Sequence, residues 1–217
     1  MVDWTTSANL ATAGGTALLA VATFFSTRSA NTAARSAERG LLDGLRPILV
    51  PSRWEDPVQK VHFMDERWIA VNGGRAVLEI DEEAAYLVLS LRNVGRGVAI
   101  LHGWDLISEP LGPHRDPDAF HRLTRDIFVP PADNGFCQVA VREPGSDRFK
   151  QLADRHDDGE RFSVDVLYSD VEGGQRIITR MGLSPAPAKP GEETGGKGRD
   201  WAISAARHWN LDRADPR

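Results

Sequence analysis

His114, Asp116, Asp118 and His121 are the only residues of metal-ligand type that the sequence gathers at short spacing. Imidazole and carboxylate together can hold a divalent ion, and a loop can fold such ligands around it. Pro113 and Pro117 punctuate the stretch, and Arg115 and Arg122 place opposing charge beside it. The preferred reading is therefore a solvated loop between strands, with a metal-dependent hydrolase built on residues 114–121 as the alternative. His156-Asp157-Asp158 repeats the residue types and reads as an exposed turn.

Other groups with chemical potential have bland readings. Gly95-Arg96-Gly97 begins like a dinucleotide-binding loop, but Ile100 stands where the third small residue would open a helix. A tight turn fits better, with Asn93 hydrogen-bonding it and the glycines supplying positive φ. Ser90, Ser108 and Ser163 lack a Gly-x-Ser-x-Gly context, and Cys137 has no histidine near it in sequence. Cys137 reads as a small buried hydrophobe. Trp104 with His102 and Asp105 reads as core and sheet edge. Arg115, Arg122 and Arg125 could meet a phosphate-bearing partner, but Asp116, Asp118 and Asp126 offset them. The net charge of −5 excludes a dedicated nucleic-acid binder, and a single cysteine excludes an intrachain disulfide. No catalytic residue and no cofactor is expected.

The elements that would position these groups begin with an apolar helix. No charged residue lies between Asp3 and Arg28. A helix over residues 4–27 rises about 36 Å, enough to cross a hydrocarbon core of about 30 Å. Met1-Val2-Asp3 has no basic region, which argues against a cleavable signal peptide. Arg28, Arg35, Arg39 and Arg46 all follow the span, so the remainder should stay on the cytoplasmic side of the cell membrane. Ala8, Thr12, Thr16 and Ala20 at four-residue spacing would let two such helices pair as a homodimer. The expected organisation is a transmembrane helix over 1–27, a helical stalk over 28–46 and a β-sandwich over 47–217. Arg46-Pro47 should stop the stalk.

Beyond Pro47 the apolar period falls to about two. Strands are expected at 48–51, 58–63, 68–71, 76–80, 84–93, 98–108, 127–129, 136–142, 162–169, 175–183 and 201–211. Turns at 72–74, 93–95, 133–135 and 172–174 separate them, and a short helix is expected at 149–155. Residues 184–198 are rich in Pro, Gly and Glu and read as a mobile loop. Trp201, Ile203, Ala205, Trp209 and Leu211 share a parity, which favours one strand pointing both tryptophans into the core over a helix with Ala202, Ala205, Ala206 and Trp209 on one face.

The run Ser90-Leu91-Arg92-Asn93-Val94-Gly95-Arg96-Gly97-Val98-Ala99, with Tyr168-Ser169-Asp170 and its Gly-Gly turn, resembles immunoglobulin-like sandwich modules. The ending Arg207-His208-Trp209-Asn210-Leu211-Asp212 is similar to that of uncharacterised membrane-anchored bacterial proteins. The resemblance implies an antiparallel sandwich and assigns no catalytic residue. The expected function is a non-enzymatic module tethered to the lipid bilayer and binding an unidentified protein partner.

Overall fold

The computed structural model describes residues 4–186 and 198–214. The chain divides into two units, Met1–Gly44 and Leu45–Arg217. The first contains one continuous helix, α1 (Trp4–Gly44), so the expected span and stalk form a single element. Its 41 residues rise about 61 Å. Thr23, Thr27 and Thr32 return their hydroxyl protons to carbonyls four residues earlier, so these polar groups are satisfied within the helix. Among the described residues no helix is long and apolar enough to cross a membrane.

The second unit is mainly β and entirely antiparallel. Its strands are β1 (Leu49–Pro51), β2 (Gln59–His62), β3 (Trp68–Val71), β4 (Arg75–Ile80), β5 (Ala85–Asn93) and β6 (Ala99–Ile107). They continue as β7 (His121–Val129), β8 (Asn134–Val141), β9 (Phe162–Ser169), β10 (Arg176–Pro185) and β11 (Gly198–Asn210), with helix α2 (Asp147–Asp158) before β9. Nine strands form one sheet in the order β1-β5-β4-β11-β10-β9-β6-β7, with β8 on the other edge of β5. β2 and β3 form a separate hairpin.

The sheet folds over a single main core. Leu87 and Leu89 of β5, Cys137 and Val139 of β8, Val164 and Val166 of β9, and Ile127 and Val129 of β7 all belong to it. Strands from both ends of the path thus share one interior, giving a sandwich-like packing. A second cluster forms where Val61, Phe63, Ile69 and Val71 of the small hairpin cover Val77, Tyr86 and Val88. The third lies on the outer face of the other half, where Phe120 meets Leu167, Ile178 and Trp209.

Long strand β11 connects the halves and corrects the expected parity. Its first part pairs with β4 and its second with β10. Arg207 faces Arg180 while Ala205 faces Met181, which leaves Ala206 as an extra residue. Such a bulge reverses which side of the sheet later residues face. Trp201 therefore enters the main core against Phe162, whereas Trp209 packs in the outer cluster.

The turn after β5 has a different basis from the one expected. Neither Gly95 nor Gly97 adopts positive φ. A Cβ at Gly95 would run into the Arg46 carbonyl, and one at Gly97 into the Leu45 carbonyl. The glycines admit the passing chain at 45–48. Asn93, wholly buried, binds that chain: its Oδ1 accepts from the Ile48 and Gly95 amides, and its Nδ2 donates to the Gly97 and Val129 carbonyls. Tyr168 Oη accepts from the Leu49 amide at 3.0 Å and pairs with Thr179 Oγ1. Arg46 reaches Asp212 at 2.6 Å, fixing the end of the domain to its beginning.

Two more boundaries move. Asn134 and Gly135 open β8, and the turn before them places Ala132 at φ 60°. β10 extends to Pro185 and β11 begins at Gly198, so the expected loop 184–198 starts and ends as strand. Its middle, 187–197, lies outside the described residues.

Replacing the fully buried Trp201 by alanine should cost about 3–5 kcal/mol, the usual range for a buried aromatic. Chemical denaturation of the Trp201→Ala chain measures it, and an unchanged midpoint would remove β11 from the core.

Candidate functional site

The four residues weighed as an alternative metal-ligand set do different jobs. The His114 ring meets the Trp209 edge at 5.4 Å, and its Nδ1 lies 2.8 Å from the Arg115 carbonyl. Asp116 caps a single helical turn by accepting from the Asp118 amide. The Asp118 side chain is 91% exposed. His121 is not in a loop at all, because β7 begins with it. Its ring packs on Trp104, and its buried Nε2 makes no hydrogen bond. Among the described residues no group of three or more His, Cys, Asp or Glu could hold a metal ion.

Cys137 is wholly buried, and burial pushes its thiol up to about 12. Ser90 is also buried, sharing a 2.6 Å hydrogen bond with Ser52. His156 pairs with its neighbour Asp157 near the end of α2. These groups serve structure.

The outer face of β6, β9, β10 and β11 carries the polar constellation that composition and spacing did not single out. Register places Asp105 opposite Asp165, Asp165 opposite Arg180, and Arg180 opposite Arg207. Arg180 and Asp165 are both fully buried and joined by paired bonds of 2.7 and 2.8 Å. The remaining guanidinium protons reach the carbonyls of Glu109, Pro110, Gly112 and Pro113. Trp209 lies under the guanidinium at 4.9 Å. Arg207 adds a bond to the Leu111 carbonyl. One cation thus holds the β6–β7 crossover against the sheet. The loop 170–175 that joins β9 to β10 fixes this pairing, since 165 and 180 are equidistant from its ends.

Asp105 has a poorer environment. Burial raises its carboxyl above the ordinary value, and neighbouring Asp165 adds to the rise, while Arg115 at 3.2 Å and Arg148 oppose it.

Beside this row lies a cleft of about 640 Å³. It exists because β6 and β7 lose register there. Leu101 faces Ile127 and Gly103 faces Arg122, so residues 123–126 arch away opposite His102. On the other side, Leu101 and Gly103 face consecutive residues of β9, which makes His102 the bulged residue. A Cβ at Gly103 would crowd the His121 carbonyl, so only glycine lets β7 return this closely. His102 Nε2 lies 2.7 Å from Ser169 Oγ, which also donates to the Asp170 carbonyl. Ser169 has one proton to give, so this geometry fits a proton on His102 Nε2. Arg122, Arg176, Asp118, Asp126, Phe120 and Leu167 complete the rim.

A serine beside a histidine suggests nucleophilic catalysis, but the geometry works against it. Ser169 is 1% exposed, and its hydroxyl is committed to a backbone carbonyl. No carboxylate among the described residues is hydrogen-bonded to the other ring nitrogen of His102, so the orienting member of a triad is missing. Comparison with known protein families, curated proteins and solved structures finds no match for this chain.

Because the Asp105 carboxyl is raised, the folded state holds its proton more tightly than the unfolded one. That contribution is present below about pH 4 and is lost as pH rises through the folded value. Asp105→Asn should therefore raise the melting temperature at pH 7, with the gain shrinking on acidification. Melting curves from pH 7 to 4 check this, and a lower melting temperature at neutral pH would contradict it.

Proposed function

We propose that this chain is a membrane-tethered, non-enzymatic binding module. In this reading residues 4–27 anchor it in the lipid bilayer, and the β domain, immunoglobulin-like in architecture, faces the cytoplasm and engages a protein partner. The observation that carries the reading is the surface of α1. Leu18, Leu19, Val21, Phe24 and Phe25 are 53–73% exposed on a helix that is, among the described residues, the only element of its unit. A lone helix cannot bury its own apolar side chains, and lipid would bury them. The uncharged run ends at Arg28, and further arginines follow at 35, 39 and 46, which favours retention of the domain on the cytoplasmic side.

The non-enzymatic part is supported by what the polar groups of the β domain do. Of the residues weighed for metal or nucleophilic chemistry, Asp116 caps a turn, His114 and His121 pack on tryptophans, and Ser90, Ser163 and Cys137 are buried. The immunoglobulin-like description rests on antiparallel strands packed about one interior, without the cross-sheet disulfide of antibody domains.

Carbonate washing of membranes from expressing cells should leave the full chain in the pellet, and release into the supernatant would overturn the anchor. A cysteine introduced at exposed Glu172 tests the orientation. An impermeant thiol reagent should label it only after lysis, and labelling of intact cells would reverse the topology. The native thiol is buried in the core and does not interfere.

A further inference from the structure

The cleft at the β6–β7 bulge has a composition that points to a ligand. We propose that it binds an oxyanion, a sulfate-, phosphate- or carboxylate-type group, through the Arg122 and Arg176 guanidiniums beside the His102–Ser169 pair. The site lies wholly within the β domain and does not depend on α1 entering a membrane.

The arginines carry the argument. Arg122 projects from the first residues of β7 into the cleft and has no hydrogen-bond or ion-pair partner among the described residues. Arg176 opens β10 on the same rim and is 44% exposed. Its ion pair is with Asp118 at 4.0 Å, the outer limit of contact, and that carboxylate is almost fully in water. Other arginines of the domain are paired more closely, among them Arg180 on Asp165, Arg46 on Asp212, and Arg67 on Glu79 and Asp81. Two weakly engaged guanidiniums thus line one concave surface. A planar guanidinium presents forked donors suited to an oxyanion.

The floor of the cleft adds fixed polar groups. His102 is held by Ser169, and Ser169 by the Asp170 carbonyl, so both side chains keep their geometry without a ligand. Phe120 and Leu167 supply an apolar wall for the body of a molecule carrying the anionic group. Asp118 and Asp126 bring the formal charge of the rim to zero, which selects against loose, long-range anion attraction. Binding must come from close, directed contacts.

Four charged groups face His102: Asp126 and Arg122 from β7, Arg176 from β10 and Asp118 from the crossover. Burial first, and Arg176 in addition, hold its imidazole below the ordinary value, while Asp126 pulls it upward. An oxyanion placed beside the ring favours the protonated form. Ligand and proton then bind together, and affinity rises as pH falls toward 6.

Sulfate is the probe, because its charge is constant over this range. The full chain in mild detergent is titrated while the His102 ring resonances are followed by NMR. Saturable shifts are expected, with tighter binding at pH 6 than at 7.5. The Arg122→Gln/Arg176→Gln double variant should bind at least about tenfold more weakly, and Arg53→Gln, remote from the cleft, should bind as the parent does. Melting curves confirm that the variants are folded. A second arm with acetate distinguishes carboxylate from tetrahedral oxyanions. Absence of a saturable shift with either anion, or equal binding by the double variant, would overturn the proposal.

Discussion

A cation with no access to water organises the outer half of this domain. Removing a guanidinium and a carboxylate from solvent costs several kcal/mol per ion unless geometry and hydrogen bonding offset it. Arg180 meets that condition with two bonds to Asp165 and the rest to crossover carbonyls. The crossover from β6 to β7 is thereby held over the outer face of the sheet, where Phe120 packs on Leu167, Ile178 and Trp209. The same crossover delivers Asp118 to the rim of the cleft and leads into His121 and Arg122 at the start of β7. The ion pair thus helps to set the wall of the cleft that Pro117, Asp118 and Phe120 supply.

A neighbouring part of the domain uses further hydrogen bonds for the same purpose. Asn93 satisfies four backbone groups from three segments, and glycines at 95 and 97 let the chain at 45–48 pass within contact of the turn. Tyr168 extends the tie to β1 and β10, and Arg46 closes it on Asp212. β11 feeds one tryptophan to each of two clusters. The bulge at Ala206 is the device that permits this.

Much of the strand pattern was legible because alternation and turn chemistry agree. Residues 68–71 and 162–169 are strands with the expected limits. β7 was read short, since His121–Asp126 carries one apolar residue and its strand state comes from pairing with β6. The tryptophan parity failed at Ala206, because a bulge is a property of two strands in register and one strand cannot announce it. The Arg180–Asp165 pair was within reach: a charge inside each apolar strand, equidistant from the ends of the loop 170–175, was a readable signal. The cleft was not readable. It depends on four residues of β7 arching opposite His102, and nothing local marks that loss of register.

The dependence of the outer half on one buried ion pair is tested most directly by a double-mutant cycle of Arg180→Met and Asp165→Asn, read by denaturant unfolding of the full chain. Each single change leaves the other partner buried without its counterpart, so the two effects should not add. A coupling energy of about 2–3 kcal/mol is expected. Additivity within about 0.5 kcal/mol would show that the pair is incidental and that the crossover is held by its apolar contacts alone.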